Sequence, residues 1–451
     1  MKDQHYALIL FVCLLFSSCI TSNSAGDYAM FHGNAMHTAN YKGTGDKNFG
    51  ETKWKFKTDG KVFSSPAIMN GIAYAGSEDS NLYAVDVSTG KLQWKFQTNG
   101  AVSSSPAVYK NAVYFCSYDG YIYAVDATSG EEIWKFKTGG EKKVGAYGLW
   151  TMKPDSMYMD DLYDFFLSSP IIETDQRYPR LYCGSSDGNL YALNAADGSL
   201  LWKFKTNGVI HTSPAFCNNI VYVTSWDTYL HAIDATTGKE KWKFKTKDQP
   251  VYHLLEGIQA SPTVKDSAVY FGARDGYFYA LNAKNGSLLW KFFNDNSWVL
   301  TTAAIKDSTV YFGTSDTYFL LALDAKTGKE KYRVKANGYV YSSPAIAGNT
   351  LYFGDFTGKV FALDLNSNGK SVKEFSTEAR KTNASHVLNK KGELDFAYAA
   401  QKDDPVFYST GIKVMNKFYT LGPIVSSPVI SSNLIFFGSA DSCLYAVHLK
   451  P

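Results

Sequence analysis

The phrase Ala-x-Asp-x-x-x-Gly-x-x-x-Trp recurs along this chain, with copies about 40 residues apart wherever no insertion separates them. Complete copies begin at Ala84, Ala124 and Ala232, copies with Asn in place of Asp begin at Ala192 and Ala280, and degenerate copies begin at Ala322, Ala362 and Ala446. A repeat of this period is typical of the four-stranded blade of a propeller. The eight copies therefore predict a closed ring of blades.

Each repeat divides into four short strands. In the second repeat they lie in VSSSPAVYK, NAVYFCS, YIYAVDA and EEIWKFKT, where apolar and small or polar residues alternate. Turn residues separate the strands, as at Asp119-Gly120, where the glycine accepts a positive φ at no steric cost. No segment keeps a helical apolar period, so we expect little helix.

The ends of the chain predict how the ring closes. An unpaired fourth strand, ETKWKFKT from Glu51, opens the repeats, and an unpaired third strand, CLYAVHL, ends them. Pairing the two would satisfy two exposed strand edges. We therefore predict an all-β, eight-bladed propeller of four-stranded antiparallel blades in which the N-terminal strand completes the last blade. Large aromatic side chains of the fourth strands are expected to dock neighbouring blades, namely Trp54, Trp94, Trp134, Trp202, Trp242 and Trp290.

The first 50 residues precede the propeller, which we assign to residues 51–451. The apolar run Ala7–Phe16 is too short to span a bilayer and suits a secretory signal over residues 1–18. Phe16-Ser17-Ser18-Cys19 is similar to a bacterial lipoprotein cleavage box, with Phe16 where leucine is usual; ordinary secretion is the alternative. Residues 19–50 are then a lipidated tether and a lead-in segment, the tether being rich in Ser, Gly, Asn and Thr.

Charge and cysteine usage exclude some functions. The formal net charge is +3 on 451 residues, and the lysines are spread over the fourth strands rather than massed, so we predict no nucleic-acid partner. Besides Cys13 and Cys19, the cysteines match no metal or haem-attachment spacing. Cys116 and Cys183 could meet across a blade interface, but buried free thiols are the simpler expectation for the set Cys116, Cys183, Cys217 and Cys443.

From about Glu51 to its end the chain resembles the pyrroloquinoline-quinone-type propellers, because the repeat phrase is similar to theirs. The segment MFHGNAMHT (Met30–Thr38) is also similar to the lead-in of that superfamily. One branch of the superfamily contains quinoprotein dehydrogenases that hold the quinone and calcium, and the other contains non-catalytic lipoproteins such as the outer-membrane assembly factor BamB. The repeat phrase is specific for the fold and carries almost no information about chemistry.

The sequence favours the non-catalytic branch and leaves the enzyme branch open as the alternative. The chain has no Cys-Cys pair and no haem motif, both of which the resemblance associates with dehydrogenases. Its aspartates at the hairpin between the second and third strands are explained by turn chemistry; they are Asp79, Asp119, Asp187, Asp227, Asp275, Asp316 and Asp441. We predict no catalytic residue, no metal ligand and no cofactor, with quinone and calcium expected only under the alternative.

Three insertions interrupt the repeats, at residues 139–167, 247–258 and 376–421. All three follow a fourth strand and precede the next first strand, a junction that lies on one side of a propeller. One face of the ring is therefore plain and the other is elaborated, and insertions on a single face usually mark the binding face.

Recognition residues are expected on the elaborated face. Our candidates for ligand or partner binding are Trp150, Lys153, His253, Gln259, Arg274 and Trp298. Three interpretations stay open: the loops cap the central channel, they form a pocket for a small polar or aromatic ligand, or they form a protein-docking surface.

Together these features predict a binding or scaffolding lipoprotein of the bacterial cell envelope. Ile20 after the acylated Cys19 offers no acidic retention signal, which favours the periplasmic side of the outer membrane. The expected partner is an envelope protein, and the resemblance to BamB points to outer-membrane protein assembly; a small-ligand-binding propeller is a further alternative.

The lipid anchor can be tested directly. Changing Cys19→Ser should abolish incorporation of a labelled fatty-acid analogue and release the protein from the detergent-extracted membrane fraction, because two or three acyl chains are what holds it there. Wild-type protein that never incorporates the label would contradict the lipoprotein assignment.

Overall fold

Eight four-stranded antiparallel blades form the ring in the computed structural model, which describes residues 28–174, 179–247 and 257–451. Two short lead-in strands, Tyr28–Ala29 and Asn40–Tyr41, add a fifth strand to two of these sheets, the second of them in parallel. The innermost strands of neighbouring sheets contact one another around the axis. This confirms the predicted all-β, eight-bladed propeller. The blades are numbered 1 to 8 in chain order.

Short first strands and longer second, third and fourth strands make up every blade. Blade 1 comprises Ala67–Met69, Ile72–Gly76, Asn81–Asp86 and Leu92–Gln97; blade 2 comprises Ala107–Tyr109, Ala112–Ser117, Tyr121–Asp126 and Glu132–Lys137; blade 3 comprises Ile171–Glu173, Arg180–Gly184, Asn189–Asn194 and Leu200–Lys205; blade 4 comprises Ala215–Cys217, Ile220–Thr224, Tyr229–Asp234 and Glu240–Lys245. Blade 5 comprises Thr263–Lys265, Ala268–Gly272, Tyr277–Asn282 and Leu288–Phe293; blade 6 comprises Ala304–Lys306, Thr309–Gly313, Phe319–Asp324 and Glu330–Lys335; blade 7 comprises Ala345–Ala347, Thr350–Gly354, Lys359–Asp364 and Val372–Ser376; blade 8 comprises Val429–Ser431, Leu434–Ser439, Cys443–Lys450 and the N-terminal strand Asn48–Lys57.

The N-terminal strand closes the ring as predicted. Asn48–Lys57 pairs antiparallel with the last strand, Cys443–Lys450, so that Trp54 lies opposite Ala446. This is the register in which Trp94 lies opposite Ala84 in blade 1. The first and last described elements of the propeller body are therefore joined by backbone hydrogen bonds.

Each tryptophan of the repeat phrase packs on the glycine of the following blade. A Cβ at Gly130, where φ is +74°, would lie 2.7 Å from the Trp94 indole. The same indole donates from Nε1 to the carbonyl of Ala127 at 3.0 Å. Glycine is required there both for its backbone angle and for the close approach. Equivalent glycine contacts are Trp54 with Gly90, Trp134 with Gly198, Trp202 with Gly238, Trp242 with Gly286 and Trp290 with Gly328.

The lead-in segment crosses the plain face of the ring. Ala35, Met36 and Ala39 accept backbone hydrogen bonds from first strands of blades 4, 5 and 7, at 2.7, 2.9 and 2.8 Å. His32 and His37 are buried, and burial lowers the pKa of His32 to about 3 and that of His37 to about 4. We expected part of residues 19–50 to be a tether, but from Met30 the chain is packed, because its carbonyls satisfy amides of the inner strands.

Helices occur mainly in the insertion at residues 376–421. They are α1 (Glu378–Val387), α2 (Phe396–Ala400) and α3 (Tyr408–Tyr419), with single 3₁₀ turns at Phe31–Gly33, Leu149–Thr151 and Leu365–Ser367. The insertion at 139–167 contains a hairpin of Gly145–Tyr147 and Tyr158–Asp160. Within the described ranges, no helix has the length and apolar character needed to cross a membrane.

Cys116 and Cys183 meet across the interface of blades 2 and 3. Their sulfur atoms are 2.6 Å apart, and both thiols are buried and free. Burial raises the pKa of the Cys116 thiol. Cys443 is likewise buried and free. Cys217 is disulfide-bonded, so the expectation of a free thiol was wrong at that position.

Ring closure can be tested at Trp54, which is 9% exposed and donates from Nε1 to the carbonyl of Val87 at 2.9 Å. Trp54→Ala should lower the free energy of unfolding by about 3–5 kcal/mol, because a large buried side chain is lost from the closing interface. Denaturant unfolding measures this. Leu92→Ala, at a 45% exposed position on a fourth strand, is the control and should change stability by about 0.5 kcal/mol or less. Equal stability of the two variants would contradict the role of Trp54.

Candidate binding face

The two described insertions of the elaborated face are hydrogen-bonded to each other. The Lys153 amide donates to the Val406 carbonyl at 2.8 Å, and the Tyr408 amide donates to the Lys153 carbonyl at 3.0 Å. The Tyr408 hydroxyl donates to the Asp160 carbonyl at 2.8 Å. Residues 139–167 and 376–421 therefore form one continuous structure, which we call the cap.

Arg274 anchors the cap to blade 5. It is 1% exposed and forms an ion pair with Asp161 of the cap at 2.6 Å. Its guanidinium lies 4.5 Å from the Trp226 ring centroid and 4.3 Å from that of Trp298, a cation–π sandwich. Gln259 accepts from Arg274 at 2.5 Å and donates to the Tyr163 carbonyl at 2.9 Å. Breaking a buried pair of this kind by removing one partner costs about 3–5 kcal/mol.

A second buried pair anchors the same insertion to blade 4. His211 Nδ1 lies 2.9 Å from Asp164, its Nε2 lies 2.7 Å from the Ser186 hydroxyl, and both partners of the ion pair are fully buried. Burial lowers the pKa of His211, but Asp164, Glu141 and the Lys142 carbonyl together outweigh it, so the net direction is upward. The charged imidazolium is thus favoured in the folded protein.

The central channel is closed beneath the cap. One hydroxyl from each blade lines it, namely Ser65, Ser105, Ser169, Ser213, Ser261, Thr302, Ser343 and Ser427. Backbone amides of this ring donate to the next hydroxyl, as from Ser105 to Ser169 at 2.9 Å and from Ser169 to Ser213 at 3.0 Å. The remaining cavity has a volume of about 30 Å³, room for roughly one water molecule.

A much larger cavity, of about 680 Å³, lies between the cap and blades 6 and 7. Tyr339 and Tyr341 stack at 5.3 Å between ring centroids, and Tyr163 stands edge-on to Tyr339 at 5.7 Å. The cavity is lined by Trp150, Met152, Leu162, Tyr163, Asp295, Asn296, Ser297, Trp298, Ser315, Asp316, Thr317, Tyr339, Tyr341, Phe396 and Pro405. Its volume and aromatic walls are those of a small-molecule site.

Trp150 is held at the rim of this cavity in a strained backbone conformation. Its φ is +53°, and that of Thr151 is +63°, in the left-handed region that bulky residues avoid. Such a conformation costs of order 1–3 kcal/mol and persists only where the surroundings impose it. The indole Nε1 is buried without a hydrogen-bond partner in the described structure.

The structure separates the predicted recognition residues into two groups. Trp150 and Trp298 line the large cavity, and Lys153 is half exposed and paired with Asp155 at 2.6 Å. Gln259 and Arg274 are buried and hold the cap in place. His253 lies outside the described residues.

Sequence reasoning missed the cavity residues Tyr163, Tyr339, Tyr341 and Asp316. Asp316 was assigned to turn chemistry with the other hairpin aspartates. A signal was present: Asp316 and Asp324 are eight positions apart, whereas Asp79 and Asp86 of the standard repeat are seven apart. The extra residue changes the hairpin that holds the carboxylate.

Several large apolar side chains of the cap face solvent. Tyr147 is 66% exposed and Phe407 is 45% exposed. The full set is Tyr147, Met157, Tyr158, Tyr398, Val406, Phe407 and Ile412. Large apolar side chains exposed together on a protein surface are typical of an interaction surface.

The described lining of the cavity carries negative charge and no positive charge. It contains Asp295 and Asp316 but no Lys, Arg or His, which opposes a carboxylate-bearing quinone. Among the described residues, no three His, Cys, Asp or Glu side chains are grouped to hold a metal ion.

Fold and comparisons define the class as the pyrroloquinoline-quinone-like propellers. The family described as outer membrane protein assembly factor BamB matches residues 45–177, 119–291 and 227–450, and the chain belongs to it.

Solved structures with the same fold include BamB from Moraxella catarrhalis, with a TM-score of 0.61 and 15% identity over 88% of this chain and 97% of that one. Another is the quinohemoprotein alcohol dehydrogenase from Comamonas testosteroni, with a TM-score of 0.67 and 13% identity over 94% of this chain and 80% of that one. A 32-residue stretch is 56% identical to beta-alanine-activating enzyme of Danio rerio, covering 7% of this chain and 3% of that protein. At such identities and coverage these likenesses indicate the fold.

The His211–Asp164 pair predicts a pH-dependent contribution to stability. Because the folded-state pKa of His211 is raised, its contribution is complete below about pH 6 and is lost as the pH rises through the raised value. The stability difference between wild type and His211→Gln should therefore be largest near pH 5.5 and shrink toward pH 8. Thermal melts across this range measure it. His386→Gln, on exposed α1, is the control; a difference that grows with pH would contradict the assignment.

Proposed function

We propose that this protein is a non-catalytic binding module of the bacterial cell envelope that acts in outer-membrane protein assembly. The observation that carries the proposal is the exposed apolar set of the cap, on a propeller that belongs to the BamB family. The cap is anchored by two buried ion pairs and is therefore a stable platform for docking. The partner is an envelope protein that covers this face.

The proposed location is the periplasmic side of the outer membrane, with an N-terminal lipid on Cys19. Support comes from the lipoprotein-like box at Phe16–Cys19, the Ile20 that follows it, and the family. These N-terminal residues precede the described structure, so the anchor is proposed from sequence.

Site-specific photocrosslinking in cells tests the docking face. A photoreactive amino acid at Phe407 or Tyr158 should give a discrete crosslink to a component of outer-membrane protein assembly, whereas one at Thr237, exposed on a hairpin of the plain face, should not. Phe407→Ala and Tyr158→Ala should each weaken capture of that partner by about 1–2 kcal/mol without loss of folding. Equal crosslinking from both faces, or none from the cap, would contradict the proposal.

A further inference from the structure

The hairpin aspartates of the propeller share one structural task. Asp79 accepts from the Tyr83 hydroxyl at 2.9 Å and from the Asp59 amide of the preceding blade at 2.9 Å. The same pair of acceptor roles recurs at Asp119 and at Asp187, with Tyr123 and Tyr191 as the hydroxyl donors. The oxygens of these carboxylates are therefore already occupied by hydrogen bonds that join neighbouring blades.

Asp316 lies at the same hairpin of blade 6 but does not make these hydrogen bonds between neighbouring blades. Leu320 lies four residues after Asp316, and Leu321 occupies the strand position that corresponds to Tyr83, so neither offers a hydroxyl donor to the carboxylate. The Thr314 hydroxyl accepts from the Phe319 amide at 2.8 Å, and the Thr317 amide donates to the Ser297 hydroxyl at 3.2 Å. The inserted residue thus lets hydroxyls hold the hairpin and leaves the Asp316 carboxylate at the wall of the 680 Å³ cavity.

No cation neutralises this carboxylate in the described part of the chain. Asp316 forms no ion pair there; the residue is solvent-exposed at the cavity wall, and partial desolvation by the surrounding protein raises its pKa. Lys335, from the adjoining strand, donates to the Thr317 carbonyl at 2.9 Å and lies over the Tyr318 ring, so it is engaged elsewhere. Arg274, the cation in contact with Trp298, is paired with Asp161. An unpaired carboxylate that is accessible at the wall of a cavity is free to form a charge-assisted contact with an incoming cation.

The walls complete the chemistry of a cation site. Trp150, Trp298 and Tyr163 form a mutually contacting aromatic group, with centroid separations of 5.7 to 6.3 Å. Faces of such rings attract ammonium groups, and cages of this kind recognise quaternary ammonium ligands. An anionic ligand would be repelled by Asp316 and Asp295, because the described lining residues include no Lys, Arg or His to offset their charge.

We propose that the cavity between the cap and blades 6 and 7 binds a small organic cation, an alkylated ammonium compound, with its charge on Asp316 and its apolar groups on the surrounding aromatic rings. The proposal goes beyond the protein-docking function and does not depend on it. The cavity is large enough to enclose a ligand of drug-like size, which favours a small molecule over a single side chain of a partner.

Titration calorimetry on the full-length protein in detergent tests the site, with benzyltrimethylammonium and choline as probes. Their comparators are 3,3-dimethylbutan-1-ol, the neutral isostere of choline, and 3-phenylpropanoate, an anion of similar size. Both cations should bind, and Asp316→Asn should weaken them about tenfold or more because the charge-assisted contact is lost. Asp403→Asn, an equal change of charge on the exposed surface of the cap, is the matched control and should leave affinity unchanged.

Melting curves separate loss of the site from loss of folding. Asp316→Asn should melt no lower than wild type, because it removes an unpaired charge. Binding of the neutral isostere as tight as choline, or unchanged cation binding in Asp316→Asn, would overturn the proposal. Tighter binding of a trilysine peptide than of either small cation would also overturn it, since the ammonium group would then come from a polypeptide partner.

Discussion

The contact between a fourth-strand tryptophan and the glycine of the next blade is the interaction on which the rest of the structure depends. Each blade is a small sheet with too little core to stand alone, and its outer strand is exposed on one side. The indole fills the space above a glycine that must have a positive φ, as Trp94 does at Gly130. Except at Trp242, its Nε1 also donates to a carbonyl of the same neighbouring turn, as from Trp94 to Ala127. The repeat phrase therefore encodes the joint between blades as well as the blade.

This explains why the ring could be predicted from sequence and the candidate site could not. Blades recur, so an unpaired fourth strand at Glu51 and an unpaired third strand at the C-terminus imply closure without knowledge of any contact. The cap has no such repetition. Its anchors join residues remote in sequence, such as Tyr408 and Asp160, which are 248 positions apart. Arg274 and Gln259 were predicted as recognition residues because they lie on the elaborated face. In the structure they hold the buried Arg274–Asp161 ion pair beneath the cap.

Composition misled at the lead-in segment for a related reason. Ser, Gly and Asn are typical of flexible linkers, but the inner strands of blades 4 to 7 present amides that a passing chain can satisfy. His32 and His37 then lie in an apolar interior as neutral imidazoles, each bonded through Nδ1 to a carbonyl. The single inserted residue after Asp316 was equally easy to overlook, since turn chemistry accounts for an aspartate at that hairpin in most other blades.

The path of the lead-in segment has a geometric consequence for an anchored propeller. Tyr28 pairs with Tyr109, beside the hairpin that joins the first two strands of blade 2, and so enters the ring from the plain side. A chain anchored through its N-terminus would have its plain face toward the bilayer and its elaborated face toward the aqueous compartment. The insertions of the elaborated face would then lie farthest from the lipid, where molecules that diffuse in the compartment can reach them.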